Sequence, residues 1–120
     1  MTSKEQALFL ARCAADKKAD DIAVIDMRDS GGIADFFVIC GAESERAVKA
    51  VADHAEQALK EKKIRVLDKE GIAHKTWVLL GTEDVILHIF HSKARKFYNL
   101  EGLWSDFPRV EFENGSASPS

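Results

Sequence analysis

Two short apolar runs constrain this chain more than any other feature. Across residues 21–27, Ile22 and Val24 fall on one side of an extended chain, and Ala23, Ile25 and Met27 on the other. A strand that is apolar on both sides has to be covered on both, which places it inside a sheet. Residues 36–40, Phe-Phe-Val-Ile-Cys, read the same way. Between the two, Arg28-Asp29-Ser30-Gly31-Gly32 is a turn whose glycines can take positive φ.

Two helices are expected beside these strands. Residues 3–19 carry Ala7, Leu10, Ala11 and Ala14 at helical spacing, with Ser3 and Gln6 as a capping box and Lys17 and Lys18 in the last turn. Ser44 caps a longer helix reaching about residue 62, with Val48, Val51, Ala52, Ala55 and Leu59 as its buried stripe. Glu45 with Lys49 and Glu56 with Lys60 stand in the favourable i,i+4 order.

Further strands are expected over 64–67, a charged sheet edge, and over 76–80 and 85–90. The last two are joined by Gly81-Thr82-Glu83-Asp84, short enough to make an antiparallel hairpin. Residues 68–74 read as a polar connection and 92–98 as a short helix. The order α-β-β-α-β-β-β-α predicts an α/β fold with a mixed sheet of about five strands flanked by helices. Residues 1–110 are expected as a single domain, with 111–120 a disordered, Gly/Ser-rich tail.

Composition narrows the partners. Seventeen Lys and Arg against 20 Asp and Glu leave a net charge of -3, without the basic surplus of a whole-domain nucleic-acid binder. Mild acidity suits a basic protein surface better. No apolar run approaches the ~18 residues of a membrane span, and residues 1–6 are polar, so a cytoplasmic domain is expected, with no membrane partner. Cys13 and Cys40 lie in apolar segments and read as small buried hydrophobes rather than a disulfide framework.

No chemical motif stands out. His88 and His91 face opposite sides of a continuous strand, and His54 and His74 lie elsewhere, so no metal is expected. Cys13, Cys40, Ser30 and Ser44 lack a nucleophile's context. Asp26, Asp29 and Asp35 are scattered and form no Asp-x-Asp pair of the kind that holds two metal ions for nucleotidyl transfer. Trp77 reads equally as a core residue or as an exposed interface anchor, and Leu79 shares its sheet face.

The ordered set of segments resembles the ribosomal silencing factor, or Iojap-like, family. It comprises Asp-Ile-Ala-Val-Ile-Asp-Met-Arg at 21–28, Ile-Ala-Asp-Phe-Phe-Val-Ile-Cys-Gly at 33–41 and Ser-Glu-Arg-Ala-Val-Lys-Ala-Val-Ala-Asp at 44–53. Thr-Trp-Val-Leu-Leu at 76–80, Glu-Asp-Val-Ile-Leu-His-Ile-Phe at 83–90 and Ala-Arg-Lys-Phe-Tyr-Asn-Leu-Glu-Gly-Leu-Trp at 94–104 complete it. The resemblance implies a nucleotidyltransferase-like fold without the catalytic carboxylates, hence no enzyme activity and no cofactor. It implies a translation repressor that binds the large ribosomal subunit at a ribosomal protein on its joining face and sterically blocks the small subunit. A homodimer is implied, and no sequence-specific nucleic acid. The alternatives are a large-subunit assembly factor and a metal-dependent nucleotidyltransferase-like enzyme using Asp26 or Asp35. Matching the family's positions, Trp77 is implied as the interface anchor, Asp84 as a charged contact and His88 as a structural or rim residue; Leu79 joins Trp77 at the interface through its shared sheet face. Asp35 and Arg46 match family positions without an assigned role, and Arg95, Tyr98 and Trp104 match the C-terminal motif, where support of the fold is expected. The hairpin turn departs from the family, which commonly carries an Asp followed by Gly-Asp there.

Overall fold

The computed structural model describes residues 1–32, 34–71, 76–92 and 106–112. The chain runs α1 (Ser3–Asp16), β1 (Asp20–Asp26), a 3-10 turn (Arg28–Ser30), β2 (Phe36–Ala42), α2 (Glu45–Glu61), β3 (Asp68–Glu70), β4 (Trp77–Gly81), β5 (Val85–His91) and β6 (Arg109–Val110). The strands form one mixed six-stranded sheet in the order β3-β4-β5-β2-β1-β6. Among the described residues only β2 and β5 pair in parallel; the other four pairings are antiparallel.

Both helices cover the same face of the sheet. The α2 stripe Val48, Val51, Ala52, Ala55 and Leu59 is buried as its spacing requires. It meets Val38, Cys40, Val78, Leu80, Leu87 and Ile89 from the sheet and Ala7, Leu10, Ala11 and Ala14 from α1. Each large aliphatic side chain buried in this way contributes roughly 1.5–3 kcal/mol. The opposite face holds a smaller cluster, Ile25, Met27, Ile39 and Phe90, with Phe37 and Phe107 against it. That second cluster is why β1, β2 and β5 are apolar at both parities.

Several local details differ from the sequence expectation. The capping box of α1 is Thr2 with Glu5, one residue earlier than Ser3 with Gln6. The Glu5 N–H donates to Thr2 Oγ1 (3.1 Å) and the Thr2 N–H to Glu5 Oε1 (2.8 Å). Gln6 is instead buried, accepting from the Thr82 hydroxyl at 2.5 Å. The helix ends at Asp16, so Lys17 and Lys18 lie just past it.

Neither expected i,i+4 ion pair forms. Lys49 pairs with Asp53 (2.6 Å), and Lys69, on the helix-facing side of β3, reaches Glu56 (3.0 Å). The edge strand forms at Asp68–Glu70 rather than at 64–67. Ile64 and Val66 pack onto the core outside the ladder, and Leu67 N–H makes the first bond to Gly81 (2.7 Å). The sheet gains a sixth strand at Arg109–Val110, too short for a sequence period to reveal, and Phe112 packs against the helix-side core. Residues 93–98 of the expected helix and 113–120 of the expected tail lie outside the described residues.

Candidate functional site

The β4–β5 hairpin closes through a two-residue turn. Thr82 N–H donates to the Val85 carbonyl (2.8 Å), and Val85 N–H to Thr82 Oγ1 (3.2 Å), leaving Glu83 and Asp84 at the tip. Neither tip residue has positive φ. The turn therefore closes without a glycine, helped by the Thr82 hydroxyl.

This closure sets the register along the hairpin. His91 N–H donates to the Thr76 carbonyl (2.9 Å), so residues 76 and 91 form a hydrogen-bonded pair. Trp77 opposite Phe90 and Leu79 opposite His88 are then non-hydrogen-bonded pairs, where facing side chains come closest. All four side chains stand on the face away from the helices. The Trp77 and Phe90 rings meet with centroids 4.7 Å apart. Trp77 also reaches its diagonal neighbour, Nε1–H donating to His88 Nδ1 at 3.1 Å. The His88 ring packs edge-on against Phe37 (4.7 Å, 61°) and lies parallel to Phe90 (6.1 Å, 4°).

This row of rings runs from the exposed edge to the buried centre of the sheet. Trp77 is 40% exposed and His88 only 4%. Burial pushes the His88 imidazole down to about 4. It is therefore neutral at pH 7, and because an indole N–H only donates, the imidazole proton sits on Nε2. His88 thus orients Trp77 from beneath rather than standing at a rim. Leu79 is half-buried beside them and shares the face, as alternation requires.

The remaining residues fall elsewhere. Asp84 is exposed at the hairpin tip, six residues from the Trp77–Phe90 pair, or about 20 Å along the strand. Its carbonyl accepts from the N–H of Asp35 (2.7 Å) and Phe36 (3.3 Å), tying the tip to the loop before β2. Arg46 is exposed in the first turn of α2, in the layer on the opposite face. Arg95, Tyr98 and Trp104 lie outside the described residues, as does His74.

Asp26, Ser30 and the two cysteines each have a structural setting. Asp26 is held by Arg28 through a two-pronged contact, Nε to Oδ1 at 2.9 Å and Nη2 to Oδ2 at 2.6 Å. Those hydrogen bonds lower the Asp26 carboxyl below its usual range. The Arg28 guanidinium lies over the Phe36 ring, 5.1 Å from its centroid. Ser30 Oγ donates to the Met27 carbonyl (2.6 Å) and accepts from Gly32 N–H (3.0 Å), which commits that turn's hydroxyl to its own backbone. Cys13 and Cys40 are buried, and burial pushes the Cys13 thiol up to about 11, away from thiolate reactivity. Among the described residues no three His, Cys, Asp or Glu side chains come together as metal ligands. No helix among them is long and apolar enough to cross a membrane.

The sequence carries a signal for the Trp77–His88 bond in the hairpin turn. A two-residue turn at Glu83 and Asp84 puts 77 opposite 90, which makes 88 its diagonal neighbour.

Comparison with known proteins bears on the same region. The profile of the family described as "Ribosomal silencing factor during starvation" matches residues 1–120. Ribosomal silencing factor RsfS of Halalkalibacterium halodurans is 38% identical over 113 residues, covering 94% of this chain and 97% of that protein. The Bacillus subtilis protein of the same name is 36% identical over 115 residues, covering 96% and 98%. A crystal structure of a Chromobacterium violaceum protein superposes with a TM-score of 0.83 at 28% identity, covering 99% of this chain and 98% of that one. A mixed α/β chain whose matched residues include both interior strands and the Trp77 hairpin belongs to the ribosomal silencing factor family.

Proposed function

We propose that this protein represses translation by binding the large ribosomal subunit at a ribosomal protein on its joining face and blocking the small subunit by volume. The observation that carries this reading is Trp77. Its ring is packed on Phe90 and its N–H is satisfied by His88, yet 40% of the residue remains exposed. A rigid aromatic held in one orientation with its outer face open is what an interface anchor requires, because little side-chain entropy remains to be lost on binding. Leu79 extends the apolar contact. Asp84, some 20 Å away along the hairpin, makes a separate charged contact with a basic partner surface.

No reacting group is needed. Occupancy follows mass action at the cellular concentration of the protein, in the cytoplasm and without a cofactor. A free pool held as a homodimer fits the same reading, since a second copy would cover apolar residues around Trp77.

The test is sedimentation of the purified protein with separated ribosomal subunits. The wild-type protein is expected to comigrate with the large subunit and to reduce joined ribosomes when the small subunit is added. Trp77→Ala is expected to abolish comigration while keeping its circular dichroism spectrum. The truncation costs about 1–3 kcal/mol of folding stability, within the roughly 5–15 kcal/mol of a typical domain. Full binding by folded Trp77→Ala would remove the anchor, and binding without loss of joining would point to subunit assembly instead.

A further inference from the structure

The net charge of -3 conceals a local reversal where α2 ends. Lys60, Lys63 and Arg65 line an open groove of about 370 Å³ together with Glu56, Ile64 and Val66. Ile64 and Val66 pack on the core and form its apolar floor. The one carboxylate in the lining among the described residues, Glu56, already receives Lys69 at 3.0 Å on both oxygens. Among the described residues none of Lys60, Lys63 and Arg65 is in an ion pair. Three cations therefore face one groove with their potential acidic partner neutralised.

We propose that this groove is a phosphate-backbone contact for a strand of RNA. The inference deepens the proposed function and rests on it for its setting, since a ribosomal surface presents RNA beside its proteins. Lys60 comes from the last turn of a helix, and Lys63 and Arg65 from the segment that follows. A polymer of one sign engages all three at once and releases counterions at each, whereas one acidic side chain engages only one. Among the described residues no aromatic ring lines the groove, so they offer no stacking platform and read no base. The end of α2 is the negative pole of the helix, so the cations must outweigh it. The pole is blunted because Lys62, Lys63 and Ile64 N–H groups already occupy the carbonyls of residues 58–60.

Lys63 makes the assignment separable from a stabilising role. It holds φ +60° in a helix-terminating turn that favours glycine. Lys63→Gly should therefore raise the melting temperature by a few degrees while weakening RNA binding. Fluorescence anisotropy of a short labelled oligouridylate at low salt reads the contact directly. The wild-type protein and Trp77→Ala are expected to bind alike, and K60Q/K63Q/R65Q to bind far more weakly. The slope of log affinity against log salt is expected to fall by about 2, at about 0.7 per phosphate contact with a single strand. If the triple variant fails to fold, Lys63→Gly alone still decides. RNA affinity equal to wild type in either variant overturns the proposal, as does failure of the wild-type protein to bind. Loss of polyglutamate binding with RNA binding intact also overturns it, in favour of an acidic protein partner. Oligouridylate binding without comigration with large subunits would keep the contact and reject the steric-block reading.

Discussion

Acidification should loosen the Trp77 site through one residue. His88 is held near pKa 4 in the folded protein, against 6.5 for an exposed imidazole, because burial penalises its charged form. The folded pKa is depressed, so the unfolded chain binds the proton more readily. The associated stability is present above pH 6.5 and is lost as the pH falls through the folded pKa near 4. Linkage over that interval gives a loss of about 2 kcal/mol between pH 7 and pH 5, and about 3 kcal/mol by pH 4. Protonation also puts a hydrogen on Nδ1, the atom that accepts from Trp77 Nε1. Urea unfolding of the wild-type protein and His88→Gln at both pH values isolates the effect, because the carboxylates common to both proteins cancel in the difference. His88→Gln keeps a hydrogen-bonding side chain without an ionisation in this range. Its stability relative to wild type is expected to improve by about 2 kcal/mol from pH 7 to pH 5. A His88 imidazole titrating near 6.5 by NMR would refute the argument, as would identical pH dependence in the two proteins.

Two further substitutions test the frame around this site. Gly71 has φ +81°, and a Cβ there would lie 2.0 Å from the Trp77 carbonyl oxygen, so Gly71→Ala should destabilise the protein by roughly 2–4 kcal/mol in thermal or urea unfolding. It should also weaken the proposed large-subunit binding, because the displaced backbone carries Trp77. Lys18, just past the end of α1, holds φ +61° in the same turn that Lys63 makes after α2, with Ala19 N–H on the Ala14 carbonyl at 3.1 Å. Lys18→Gly should stabilise by about 0.5–1 kcal/mol, measured as a higher urea midpoint at unchanged slope.

The helices and interior strands were legible because local periodicity and burial coincide in them. Ser44 and the stripe from Val48 to Leu59 contain both the start and the buried face of α2, and that signal needs no partner to be read. The two-sided apolar pattern of residues 21–27 and 36–40 likewise implied covering layers before any neighbour was known. Trp77 and Leu79 could be placed on one face from alternation alone. What covers each face, and in which order the strands lie, depends on contacts distant in sequence. The edge strand moved to Asp68–Glu70 because Ile64 and Val66 are drawn into the core instead of the ladder. Glu56 took Lys69 from another element in preference to Lys60, four residues away. A two-residue strand such as Arg109–Val110 has no period to detect. Asp84 and His88 are neighbours in sequence, yet the hairpin puts one at an exposed tip and buries the other under Trp77. Sequence thus determined which residues would share a face, because side-chain parity is a property of the local backbone. Only tertiary structure decided which of them would meet, because register and sheet order are set by the packing of the whole chain.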